Sequence, residues 1–357
     1  MVEKKRRYAG MALAALAWVL LSGAPGQTQA VPAASARADA GEARVLIPGG
    51  QAVGVALKTQ GVLVVSKMSR APVKTALRVG DVILSVQGEA VASAQALAER
   101  VNAQQAESVE LGVLRGGKAI TVQAASPVSE ADGRRRLGVW VRDSTAGVGT
   151  LSYIDPETQA YGALGHAIVD GDTGDMLSVL DGAILQARVV GVTRGESGRA
   201  GELKGSFLKE GRQIGTLRRN CAYGIYGTME SAPENLLYPQ GLPVGTKEQA
   251  HAGSATILAT VDEGGPQAYG VEILRCFEQD KPSPKGMILR VTDERLLART
   301  GGIVQGMSGS PIIQDGRIIG AVTHVYLSDS TQGYGMYIEW MLVQSDGIPT
   351  STQEEAA

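Results

Sequence analysis

Aromatic side chains are scarce in this chain: 4% of its 357 residues are Phe, Tyr or Trp, and only 2 are Phe. Its cores must be filled by aliphatic side chains. Cysteine is scarcer still, with 2 residues, Cys221 and Cys276. That count excludes a disulfide-rich scaffold. The pair reads either as one bridge in an oxidising compartment or as two small buried hydrophobes. A charge excess is missing too: 34 Lys+Arg stand against 36 Asp+Glu, which gives no electrostatic reason to expect a nucleic-acid partner. Near the N-terminus the apolar run from Met11 to Leu21 is short of the roughly 20 residues a membrane span takes. Histidine is limited to 3 residues, so any histidine-dependent chemistry has only His166, His251 and His324 to draw on.

What is abundant is glycine, 47 residues, set among short runs of Val, Ile and Thr. That pattern predicts a mainly β protein with many turns. The basic cluster Lys4-Lys5-Arg6-Arg7, the run Met11 to Leu21 and the small, polar stretch Ser22 to Gly26 follow the order of a secretory signal. Residues 1–24 are therefore expected to be a signal peptide or an uncleaved signal-anchor, 25–44 a linker, and the chain after about residue 40 to lie outside the cytoplasm. A polar tail is expected over 343–357.

Residues 45–128 read as one compact unit. Gly61 to Ser66 and Val79 to Val86 form strand patterns, and Ala94 to Val101 forms a helix with Leu97 and Val101 on one face. Gly116-Gly117 joins two further strand patterns. The run Ala76-Leu77-Arg78-Val79-Gly80-Asp81-Val82-Ile83-Leu84 resembles the corresponding strand of PDZ domains. This resemblance implies capture of peptide C-termini or internal segments by strand addition. Val53-Gly54-Val55 would be the carboxylate-binding loop, with Leu97 and Val101 lining the side-chain pocket. Taken singly, these residues are equally ordinary core positions of a small β domain.

Residues 137–342 are short β runs separated by glycine turns, the pattern of a β-barrel or double-barrel domain. Within them, Gly306-Met307-Ser308-Gly309-Ser310-Pro311 resembles the nucleophile loop of chymotrypsin-like serine proteases. A nucleophilic serine needs a tight turn and nearby N–H groups aimed at a developing oxyanion. Gly306 and Met307 are the backbone candidates, and Asn220 is a possible side-chain donor. The bland alternative is a glycine-rich hairpin turn. For a base, His166 follows an apolar run and a glycine. His324 ends an apolar strand and His251 sits in a polar loop, so elimination favours His166. Asp293 precedes Ser308 by 15 residues and could orient the base; it is equally placed to start a helix. Asp170 to Asp175 alternates carboxylates, but lacks the glutamate of a calcium loop and reads as a turn.

The stretches Ala163-Leu164-Gly165-His166-Ala167-Ile168-Val169-Asp170 and Gly302 to Val325, behind a PDZ-like unit, are similar to the SpoIVB peptidase family. This resemblance implies a chymotrypsin-like β-barrel peptidase with His166 as base, Asp293 as its orienter and Ser308 as nucleophile, with no cofactor and no metal. It also implies a protein exported across the forespore membrane into the intermembrane space. There it would cleave itself in the N-terminal region and a membrane-bound regulator of an intramembrane protease, switching on a late mother-cell sigma factor. Two other readings stay open. An HtrA-like quality-control protease carries its PDZ unit after the protease domain, and a PDZ adaptor would lack catalysis.

Overall fold

The computed structural model describes residues 44–68, 75–206, 212–233, 236–346 and 348. The expected signal segment, all but the last residue of the linker, and positions 349–357 lie outside them. The first elements are β1 (Val45–Pro48) and β2 (Ala52–Lys67). The PDZ-like unit comes next with β3 (Val82–Val86), β4 (Glu89–Ala90), α1 (Ala94–Asn102), β5 (Ser108–Arg115) and β6 (Lys118–Ala125). After it stand β7 (Val139–Ile154), β8 (Ala160–Ala163), β9 (Val179–Gln186), β10 (Arg188–Thr193), β11 (Glu202–Ser206), β12 (Gln213–Thr216), β13 (Arg219–Cys221), β14 (Gly224–Thr228) and β15 (Leu242–Pro243). The last group is β16 (Gly253–Thr260), β17 (Pro266–Cys276), β18 (Met287–Val291), α2 (Glu294–Thr300), β19 (Pro311–Gln314), β20 (Arg317–Val325), β21 (Gln332–Tyr337) and α3 (Ile338–Ser345).

The last six strands close into a barrel in the order β16-β17-β18-β21-β20-β19. Its interior is aliphatic, as the shortage of aromatics requires: Ile257, Val271, Leu289, Ile312 and Val322 are all 2% exposed or less. The earlier strands other than β10 and β11, which make a two-stranded sheet of their own, form one large sheet with β7 and β2 at its middle. Strand β2 serves two units. Its first half, Ala52 to Thr59, is paired on both edges, by β7 and β9, and its second half pairs with β3 of the PDZ-like unit. The PDZ-like unit is thus carried on a strand pair shared with the peptidase sheet, which stiffens the junction.

Within that unit, Ser93 caps α1 by accepting from Ala96 N–H at 3.1 Å. Leu97 and Val101, four residues apart, face the core. Asp81 of the Gly-Asp motif is 1% exposed and takes both Nε and Nη2 of Arg115 at 2.7 Å. Its motif position is explained by this bidentate pair, which ties the turn before β3 to β5. At the other end, α3 continues to Ser345, and Ile348 is 9% exposed in the core against Leu46, so the chain stays packed past the boundary expected at 342.

Candidate active site

Ser308 lies in the turn between α2 and β19, beside the middle of β7. Gly306 and Gly309 have φ of 95° and 99°, the left-handed region that favours glycine. A Cβ on Gly309 would stand 2.1 Å from the carbonyl oxygen of Thr150, so only glycine fits there. Thr150 grips this turn twice: its N–H donates to Ser308 O at 3.1 Å and its hydroxyl donates to Gly306 O at 2.7 Å. Thr150 is 1% exposed, so both bonds are shielded from competing water.

The turn leaves specific donors free. Met307 N–H donates to Val304 O and Gly309 N–H to Val322 O, whereas no acceptor among the described residues takes the N–H of Gly306 or of Ser308. Both residues line a cavity of about 920 Å³. The expected donor set is therefore corrected. Met307 is spent inside the turn, with its side chain 0% exposed. Asn220 is engaged elsewhere: its Oδ1 accepts from Ile168 N–H, and its Nδ2 donates to Ile168 O and Leu177 O, each at 2.8 Å. Ser310 is fully buried, in keeping with a turn residue.

His166 faces the same cavity, just after β8. Leu164, two residues earlier, has φ of 68°, an uncommon conformation for a side-chain-bearing residue. The Asn220 bonds fasten the backbone two residues past the imidazole. Nδ1 of His166 lies 2.9 Å from Ala167 O. A carbonyl oxygen only accepts, so in the neutral imidazole Nδ1 carries the proton and Nε2 keeps its lone pair. The hydroxyl of Ser308 donates to Thr323 O at 2.8 Å. His324 lines the same cavity, its ring centroid 5.6 Å from that of His166. Burial, then repulsion from His166 when it is protonated and from Lys285, pushes the His324 imidazole down to about 4. Its buried Nδ1 has no hydrogen-bond partner. His251 lies outside the cavity, paired with Asp315 at 2.9 Å on the surface.

Asp293 is not brought to this pair. It is the N-cap of α2, accepting from Arg295 N–H at 2.9 Å, and its carboxylate also takes the Arg295 side chain and, at 3.3 Å, Gly270 N–H. The Arg295 guanidinium, assisted by these N–H bonds, holds the carboxyl down to about 2. Helix capping won over base orientation because the strand-to-helix junction leaves free N–H groups that a short acidic side chain satisfies. Asp170 is also structural: its Oδ1 takes Asp172 and Thr173 N–H, and Arg142 pairs with its other oxygen. Cys221 and Cys276 are separate half-buried thiols, each pushed up by burial.

The model of the family described as SpoIVB peptidase S55 matches residues 133–342, more than half of the chain. The chain belongs to the SpoIVB peptidase S55 family. It is a serine peptidase that also carries a PDZ domain, whose family model matches residues 50–125. No curated protein matches it. Among solved structures it is similar to the Rv3671c protease of M. tuberculosis in its active form, at 15% identity and a TM-score of 0.32, over 58% of this chain and 76% of that one. It is also similar to the PDZ domain of the SdrC-like protein of Listeria monocytogenes, at 22% identity and a TM-score of 0.21, over 23% of this chain and 87% of that one.

In this SpoIVB-family peptidase the expected carboxylate loop is not at Val53-Gly54-Val55. Those residues are inside β2, with Val53 and Val55 buried and both strand edges paired, so their N–H groups are not presented to a ligand. Leu97 and Val101 do border a groove, of about 220 Å³, whose opposite wall is Val139 to Val141 at the start of β7. The turn leading into that wall is Leu137-Gly138. Gly138 has φ of 72°, and among the described residues nothing accepts the N–H of Leu137 or Gly138. The sequence carried a signal for this, the apolar-Gly-apolar run Leu137-Gly138-Val139, but it comes after the helix and reads as the opening strand of the next domain. Thr150 carried no signal, because its role arises from contacts between distant segments.

Proposed function

We propose that this peptidase is an endopeptidase in which Ser308 is the nucleophile and His166 the general base. The observation that carries the reading is one cavity lined by a glycine-flanked serine, two unclaimed N–H groups and an imidazole with its Nε2 lone pair free. Ser308 Oγ, released from Thr323 O by rotation about its Cα–Cβ bond, attacks the substrate carbonyl as His166 Nε2 takes its proton. The N–H groups of Gly306 and Ser308 donate to the oxyanion. The imidazolium then protonates the leaving amine, and water repeats the sequence to free the acyl group. Ala167 O accepts the hydrogen bond from Nδ1–H, the place a carboxylate takes in a Ser-His-Asp triad.

The sequence resemblance further supports an exported enzyme acting in the intermembrane space of the developing spore. Its substrates there are its own N-terminal region and a membrane-bound regulator of an intramembrane protease, leading to a late mother-cell sigma factor. The groove between α1 and the Val139 to Val141 edge is the peptide-docking surface in this reading, with the Leu137 and Gly138 N–H groups for a terminal carboxylate. The N-terminal residue of the mature protein tests self-cleavage. The native chain gives a shortened form and Ser308→Ala the longer one; identical ends in both refute it.

A further inference from the structure

One hairpin crosses from the large sheet to the closed barrel beside Ser308. Its first strand, β10, follows β9 of the large sheet after a single residue, Ala187. β10 pairs with β11 from Arg188↔Ser206 to Thr193↔Glu202. The tip is fastened to the far side by Gly195 N–H to Thr300 O at 2.8 Å, Gly198 N–H to Leu327 O at 2.8 Å and Ser197 Oγ to Ser328 O at 3.0 Å. The Arg194 guanidinium donates to Ala298 O and, at 3.2 Å, to Leu297 O. Those two carbonyls belong to the last turn of α2; Leu297 O also accepts from Gly301 N–H at 2.9 Å, the C-cap bond of the helix.

Just past the tip, the hairpin grips the residue before Gly306. Gln305 N–H donates to Gly201 O and Leu203 N–H donates to Gln305 O, both at 2.8 Å, as a parallel bridge. Leu203 is 3% exposed and so close that a Cβ on Gly306 would stand 3.0 Å from its Cβ. Peptide groups are planar, and this chain has no cis bond among its described residues. With Gln305 O held toward Leu203, the Gly306 N–H of the same plane points the opposite way, and it has no other acceptor.

We propose that the β10–β11 hairpin is the positioning element of the oxyanion site: Leu203 N–H fixes the peptide plane that presents Gly306 N–H, and the Arg194 clasp holds the hairpin in register. The inference rests on the reading of Ser308 as nucleophile and Gly306 N–H as oxyanion donor. Arg194 and Gly201 act only through Gly306, whereas Leu203 also lines the cavity. Removing an oxyanion donor outright costs about 10²–10³ in kcat, so a donor that is loosened loses part of that factor.

The test uses the full chain and p-nitrophenyl acetate, with phenylboronic acid as the tetrahedral mimic. Arg194 is exposed, so Arg194→Ala removes the clasp without touching the core. Gly201→Ala is a second, independent variant, since its Cβ would stand 2.4 Å from Gly195 N and from Thr193 O and so spread the tip. Both variants should lose about tenfold or more in kcat at unchanged KM, with phenylboronate binding weakened by the same factor, and Arg194→Lys should recover part. If Ser308→Ala hydrolyses the ester as fast as the native chain, the nucleophile reading falls. If Ser308→Ala is inert while Arg194→Ala and Gly201→Ala keep native kcat, or change only KM, this inference alone is overturned.

Discussion

Asn220→Ala separates two roles that sequence alone leaves open for this side chain. In the structure it makes three hydrogen bonds at 2.8 Å, to Ile168 N–H, Ile168 O and Leu177 O. Each bond of this kind contributes about 0.5–1.5 kcal/mol net, so their joint loss should cost about 2–4 kcal/mol of stability. The His166 backbone is two residues from the anchored position. A misplacement of about 1 Å in a catalytic group costs on the order of 10²-fold in rate. Urea unfolding, followed by circular dichroism, gives the first quantity, and peptidase kinetics below the unfolding transition give the second. Both should fall together. A variant that is destabilised yet keeps native kcat would refute the clamp. One that loses kcat at native stability would instead make Asn220 a direct oxyanion donor.

Thr150→Val keeps the side chain's shape and the main-chain bond to Ser308 O but strips the donor from Gly306 O. A buried acceptor left unmet costs about 1–3 kcal/mol, so the urea midpoint should fall and kcat with it; an unchanged midpoint would contradict the grip described here. Asp293→Asn preserves a capping oxygen while removing the charge. Losing the charge that Arg295 pairs with should lower the melting temperature modestly while kcat stays near native, and a loss of several orders of magnitude in kcat would return Asp293 to the catalytic group. His324→Gln tests the buried imidazole. The folded state protonates it only near pH 4, against 6.5 for the ordinary side chain, so between these values the unfolded chain binds more protons. Stability is therefore lost as pH falls through that window, by at most about 1.4 kcal/mol per pH unit for one proton, less where solvent reaches the half-buried ring. The variant should flatten this slope, and an unaltered slope would rule the imidazole out as its source.

Much of this was legible in the residues themselves. The Gly-X-Ser-Gly pattern places Ser308 in a turn because Gly306 and Gly309 take conformations closed to other residues. Leu97 and Val101 read as one helix face because a spacing of four puts them there. His166 over His251 and His324 followed from local context, and His251 is indeed a surface residue. Three things were not legible. Asp293 had the right separation from Ser308 for either role, and only the strand-to-helix junction decides between capping and orientation. Val53-Gly54-Val55 has the composition of a ligand loop, yet β7 and β9, far downstream in the chain, claim both its edges. The groove loop at Leu137 to Val139 comes after its helix in the chain, so its role depends on the path of β7 back past α1. The last two misses are long-range pairings overriding a local pattern, whereas at Asp293 a local capping role prevailed.

The central claim is that Ser308, activated by His166, is the nucleophile. Labelling the full chain with diisopropyl fluorophosphate and mapping the adduct by mass spectrometry tests it most directly. The account predicts one phosphorylated peptide, carrying the group on Ser308, and its loss in both Ser308→Ala and His166→Ala. An adduct on another residue, or labelling that persists in folded Ser308→Ala, would contradict it.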